Sequence, residues 1–106
     1  MKVALYARCS ASKPEGETIE AQLKRSRALI HKRGWAEVSC FIDAGYSGIT
    51  LDRPGMRSLI AVVESGAVEA VCVDSISRLA RSQADFETLA AQCRSAGVRI
   101  IANDQG

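Results

Sequence analysis

Apolar residues fall along this chain in two alternating patterns: short dense runs, and longer stretches where they recur at every third or fourth position. The first is the signature of strands and the second of amphipathic helices. Within Lys2 to Ser12, Val3, Leu5 and Ala7 alternate with Ala4, Tyr6 and Arg8. The segment is too short for a helix and too apolar for a loop, so it predicts a buried strand with Ser10 just past its carboxyl end. Pro14 and Gly16 then break the chain, predicting a flexible loop over Lys13 to Glu17. From Thr18 to Arg33, Ile19, Leu23 and Ile30 share a stripe that Lys24, Arg25, Lys32 and Arg33 mostly avoid, which predicts a helix ended by Gly34. Gln22 lies beside that stripe one turn in, near enough to the loop to face Ser10.

The same alternation continues to the end. Trp35 to Asp43 predicts a second strand, with Val38, Cys40 and Ile42 opposed to Ser39 and Phe41. Ala44 to Pro54 is polar and glycine-rich, a long mobile loop ending in Asp52-Arg53-Pro54. Proline suits the first turn of a helix, and Met56, Leu59, Ile60 and Val63 carry that helix to Ser65 and Gly66. Ala67 to Asp74 is a nearly continuous apolar run, as expected of a strand buried on both faces. In Ser75 to Ser82, Ile76 and Leu79 are spaced to pack, while Arg78 and Arg81 stand three apart. Ser82-x-x-Asp85 predicts a capped third helix with Phe86, Leu89, Ala90 and Cys93 inside, ended by Gly97 and followed by a fourth strand, Val98 to Ala102. The order βαβαβαβ predicts an α/β fold: three αβα layers around a mainly parallel sheet of about four strands with right-handed crossovers.

At 106 residues with 47% hydrophobic and 25% charged residues, the chain is one globular domain, residues 1–106. A net charge of +2 does not announce a nucleic-acid binder, but ten of the fourteen basic residues are arginine, the side chain that grips phosphate bidentately. No leader or long apolar span is evident, and the four cysteines form no C-x-x-C pair, so a cytoplasmic location with reduced thiols and no membrane partner is expected. Cys40, Cys72 and Cys93 read as small core residues. Cys9 sits beside the suspected site, but a phosphatase-type cysteine needs an arginine six residues on, where this chain has Glu15. Lone His31 reads as a solvated helix residue, and neither a metal nor a cofactor is implied.

In such a sheet the strand ends at Arg8 to Ser10, Asp43 and Asp74 lie along one edge, where ligands of open α/β folds bind. The loops there supply a hydroxyl, several arginines and a carboxylate, a set suited to binding an anion and attacking it. Taken singly, each piece has an ordinary explanation: a cap, a local ion pair, surface charge. Together they fall at matching topological positions. No G-x-x-x-x-G-K-[ST], G-x-G-x-x-G or G-x-S-x-G pattern is present, which removes the common nucleotide and acyl-transfer explanations.

Four separated motifs, Tyr6-Ala7-Arg8-Cys9-Ser10, Glu17 to Gln22, Asp43 to Gly48 with Asp52-Arg53-Pro54-Gly55, and Ser77 to Ser82, resemble the catalytic domain of serine recombinases, the resolvase/invertase family. The wording AGYSG…LDRPGM is closest to large serine integrases and transposon recombinases. The resemblance implies that Ser10 attacks a DNA phosphodiester, leaving the 5′ phosphate on the serine, and that strands are exchanged within a synaptic tetramer without a cofactor. Arg8, Arg78 and Arg81 match the family's phosphate-binding arginines, and Arg53 matches a further one. Gln22 and Asp43 match auxiliary positions, a hydrogen-bond donor near the phosphate and an orienter of an arginine.

The chain departs from the family's pattern at Ser77, where many small resolvases place aspartate, and on the second helix, which lacks a lysine around Val62. The sequence also stops after the fourth strand, where the family continues into a dimerisation helix and a DNA-binding module. The expectation is therefore a fragment, monomeric or weakly dimeric, that binds DNA through phosphates without sequence choice. The alternatives are a catalytically idle recombinase-derived interaction or regulatory domain and, less well matched, a receiver-like domain, which needs clustered carboxylates where this chain has arginines.

Overall fold

The computed structural model describes residues 1–10, 18–47 and 49–105. The expected loop at Lys13 to Glu17 and Gly48 of the glycine-rich loop lie outside the described residues. The elements are β1 (Lys2–Cys9), α1 (Ile19–Arg33), β2 (Ala36–Ala44), α2 (Pro54–Ser65), β3 (Ala70–Val73), α3 (Ile76–Leu79), α4 (Gln83–Ser95) and β4 (Arg99–Ala102), followed by a 3-10 turn at Asn103–Gln105. All strand pairs are parallel, in the order β2-β1-β3-β4. This is the expected α/β fold, with the short α3 inserted after β3.

Local chemistry sets most of the boundaries. Thr18 caps α1 by accepting from the Ala21 amide at 3.1 Å, and Ser82 caps α4 by accepting from Asp85 at 3.0 Å. Gly34, at φ 72°, closes α1 in a left-handed conformation that side chains avoid. Helix α2 has proline at its first turn, but its N-cap, Arg53, supplies no side-chain cap. The missing acceptor comes from β2, as described below.

Burial is two-sided. Val3 to Arg8 of the central strand β1 are all buried. On one face Ala4, Tyr6, Val71 and Val73 pack under Met56, Leu59 and Val63 of α2 and Leu89 and Cys93 of α4. On the other, Val3, Leu5, Ala7, Ala70 and Cys72 pack under Leu23 and Ile30 of α1. Each fully buried aliphatic side chain contributes about 1.5–3 kcal/mol of transfer free energy.

Two strands differ from the sequence reading. The run Ala67 to Asp74 yields a ladder of only Ala70–Val73, with Val68 buried in the core ahead of it. In β2 the register slips between Val3 and Ala4, which pair with Glu37 and Ser39, so Val38 is a bulged extra residue. Glu37 therefore shares a face with Cys40 and Ile42, bonding Arg27 of α1, while Phe41 packs on the α2 side. Val38 and Ile42 remain 48% and 45% exposed, because β2 is an edge strand.

Candidate active site

β1 ends at Cys9, and Ser10 follows it directly, both half-buried. Arg8 pairs in register with Asp43 of β2, so the first two expected strand ends do meet at one edge of the sheet. The segments after β2 and β3 close over that edge and bring the arginines together.

Arg8 is only 5% exposed. Its Nε donates to the Arg78 carbonyl at 3.1 Å, Nη1 to the Tyr46 carbonyl at 3.0 Å and Nη2 to the Ser77 carbonyl at 2.9 Å. Gln22 of α1, fully buried, grips the backbone of the same residue at two points: its Oε1 accepts from the Arg8 amide at 3.1 Å and its Nε2 donates to the Arg8 carbonyl at 2.9 Å. Gln22 thus extends the sheet's hydrogen bonding into a helix side chain and fixes the backbone two residues before Ser10.

Arg53 is more deeply buried still, at 1%. Its guanidinium carbon lies 5.7 Å from the Tyr6 ring centroid, and it donates to the carbonyls of Arg78 and Leu79. The carboxylate of Asp43 accepts from the Tyr6 hydroxyl at 2.6 Å, the Gly55 amide at 2.7 Å and the Met56 amide at 3.0 Å. Asp43 is therefore the missing cap of α2, a negative charge on the positive end of the helix. Among the described residues the hydrogen bonds of the Asp43 carboxylate go to Tyr6 and the start of α2. These amides belong to the first turn of α2, whose N-cap residue is Arg53.

The cap requires close approach. A Cβ at Gly55 would lie 2.8 Å from Asp43 Oδ2. That need, and the participation of Tyr6, escape the sequence reading. The available signal was a glycine inside the first helical turn, directly after proline.

Arg78, half-buried on α3, turns Nη1 towards the Arg8 carbonyl at 3.4 Å, while Arg81 is exposed beyond it. Burial, then the charges of Arg53, Arg78 and Arg81, push the Arg8 guanidinium below its ordinary pKa, with only Tyr6 opposing among the nearby groups. Among the described residues no carboxylate is hydrogen-bonded to Arg8, Arg53 or Arg81. Asp43 is engaged as above, and Asp74, after β3, forms a bidentate pair with Arg25 at 2.6 and 2.8 Å. Burial and the Asp43 bond hold the Tyr6 phenol protonated far beyond its usual range. Ser77 is exposed, its hydroxyl 2.9 Å from that of Ser75. The described residues contain no His/Cys/Asp/Glu group able to hold a metal ion. No helix among them is long and apolar enough to cross a membrane.

The arrangement gathers arginines at the sheet edge that Ser10 follows, with peptide carbonyls holding two of the guanidiniums. It is built to receive an anion with several oxygens.

Comparison with known proteins points the same way. A sequence model described as "Resolvase, N terminal domain" matches residues 3–106. The chain is similar to the N-terminal catalytic domain of TP901-1 integrase, with 31% identity and a TM-score of 0.91 over 99% of this chain and 78% of that one. It is also similar to a resolvase family site-specific recombinase from Streptococcus pneumoniae, with 32% identity and a TM-score of 0.85 over 100% of this chain and 74% of the other. A third relative, the uncharacterized immunity region protein 3 of Bacillus phage phi105, is 30% identical over 66 residues, which is 60% of this chain and 80% of that protein.

Proposed function

The chain belongs to the family of resolvase N-terminal domains, the catalytic domains of serine recombinases, and on that premise we propose that Ser10 is the nucleophile of a DNA strand-cleavage and rejoining reaction. The Ser10 Oγ forms a bond to phosphorus as the P–O3′ bond breaks. The serine gives up its proton, the departing 3′ oxygen takes one up, and the 5′ phosphate stays on the serine. One phosphodiester replaces another, so reversal reseals a strand without an energy source.

The observation that carries this reading is the mutual approach of four arginines, with the charges of Arg53, Arg78 and Arg81 acting on Arg8, two residues before Ser10. A phosphoryl group under attack gathers negative charge on its non-bridging oxygens, and fixed cations in a desolvated site stabilise that state most. The lowered pKa of Arg8 records first the cost of burying its charge and then the repulsion of the neighbouring guanidiniums. A DNA phosphate would relieve it, with Arg8, Arg78 and Arg81 as the contacts and Arg53 supporting them from beneath. The donors of Arg8 and Arg53 now rest on the carbonyls of Tyr46 and of residues 77–79. DNA binding therefore entails a shift of these segments. Assembly into a dimer or tetramer on DNA fits such a shift, with the isolated chain monomeric or weakly dimeric and inactive in complete recombination.

The test is to incubate the protein with a pool of nicked duplexes, separate on denaturing gels, and map any adduct by mass spectrometry beside Ser10→Ala. An adduct on Ser10 that the variant lacks is the expected result. An adduct on Cys9, cleavage that persists in Ser10→Ala, or no adduct from folded protein that binds the DNA would overturn the assignment.

A further inference from the structure

Among the described residues the exposed large hydrophobic side chains are Val38, Ile42, Tyr46 and Ile49. Position on an edge strand accounts for Val38 and Ile42. Tyr46, 43% exposed, follows β2, and its backbone is tied to the end of β1 at two points. The Gly45 amide donates at 2.8 Å to the Cys9 carbonyl, the carbonyl of the peptide bond that leads to Ser10. The Tyr46 carbonyl accepts from Arg8 Nη1 at 3.0 Å. Gly45, at φ 83°, supplies the left-handed turn that lets both bonds form. Both ties join β1 to the segment after β2, on the side of the sheet away from β4.

The ring of Tyr46 belongs to neither core cluster, and among the described residues its hydroxyl makes no hydrogen bond. Packing therefore does not account for an aromatic residue here. Cations and amides suffice to hold a phosphate. An exposed flat ring fixed beside them suits what a nucleotide adds to its phosphate, a flat base.

We propose that Tyr46 is a nucleotide-contact residue, its ring stacking on the base of the nucleotide whose 5′ phosphate the arginines hold, the one left joined to Ser10 after cleavage. This contact presupposes the arginine phosphate site of the proposed function and adds to it a hold on the base. Every base has a π face, so such stacking tolerates any sequence. Tyr46 thus strengthens the grip on a cut strand end without reading which base it carries. When a phosphate draws Arg8 off the Tyr46 carbonyl, the Gly45 bond to Cys9 keeps the ring beside Ser10.

The test uses a short 5′-phosphorylated single strand, labelled at its 3′ end, and the same strand with its first nucleotide abasic, each titrated by anisotropy. Chemistry at Ser10 is not needed for the readout. The parent protein is expected to bind the base-bearing strand about tenfold more tightly. Tyr46→Ala should abolish that preference and leave the abasic strand bound as before, whereas Tyr46→Phe should keep it. Arg81→Ala should weaken both strands alike. The abasic strand controls for folding, since a misfolded variant would lose it too. Equal binding of the two strands by the parent, or a base preference that survives in Tyr46→Ala, would overturn the contact; weakening by Arg81→Ala would then show that the phosphate site itself stands. No binding of either strand would remove both. Self-association lost in Tyr46→Ala, with strand binding unchanged, would overturn the proposal and give the ring to a protein contact.

Discussion

Gly55→Ala is the sharpest probe of how the site is held together. In a helix, alanine normally exceeds glycine by up to about 1 kcal/mol. Here its Cβ would stand 2.8 Å from Asp43 Oδ2 and 2.9 Å from both Cγ and Oδ1. The carboxylate cannot retreat without loosening bonds to the Tyr6 hydroxyl and to the Gly55 and Met56 amides. Overpacking of this kind costs about 1–3 kcal/mol, so the sign of the usual substitution reverses. Asp43→Ala alone orphans a buried phenol and two helix-end amides, about 3–5 kcal/mol in total. Against a domain stability of roughly 5–15 kcal/mol that loss is large, so all four proteins of the double-mutant cycle belong in urea titrations containing a stabilising osmolyte. The expected cycle has Gly55→Ala destabilising when Asp43 is present, and neutral or stabilising when it is replaced by alanine. Equal effects of Gly55→Ala in both backgrounds would refute the proposed approach of carboxylate to helix end.

Two further outcomes separate structure from chemistry. Arg81→Ala should change stability by no more than about 0.5 kcal/mol, because the residue is exposed, yet reduce Ser10 adduct formation by roughly 10²–10³-fold; Arg53→Ala should lose about 2–4 kcal/mol in urea titration, because a buried, bonded side chain is removed. Burial pushes the Cys72 thiol up to about 11 from an ordinary 9.0. The neutral thiol therefore favours the fold below about pH 9, and this contribution is lost as pH rises through about 11. Urea midpoints across that range should fall less steeply in Cys72→Ala than in the parent.

The element order was legible because each strand and helix carries its own periodicity and its own punctuation: Gly34, Pro54, Gly66, Ser82. Edge position was not. Nothing local to Trp35-to-Asp43 says that β2 lies outermost or that Val38 is a bulge, since register depends on the partner strand. At the site, the sequence brought Ser10, Arg8, Arg53 and Arg78 to one edge, because strand ends and loops can be counted. It could not give the direction in which a guanidinium points. Arg53, in a polar loop beside a proline, reads as solvated from its neighbours, and only the packing of α2 against β1 buries it beneath Tyr6. The resemblance gives Asp43 as an orienter of an arginine and says nothing of its capping bonds, since a helix end lacking its cap is invisible until the helix is placed.

The position of β1 has a mechanical consequence. Its backbone is bonded to β2 along one side and to β3 along the other, and six successive side chains are buried. Such a strand exchanges its amide protons at the slow end of the domain's range, close to global unfolding. Ser10 and Arg8 are attached to this slow-opening strand, while Arg78 and Arg81 stand on the segment after β3. A shift of residues 77–79 must release the Arg8 and Arg53 guanidiniums from their carbonyls, so these cations rearrange together while the backbone that leads to Ser10 stays in the sheet.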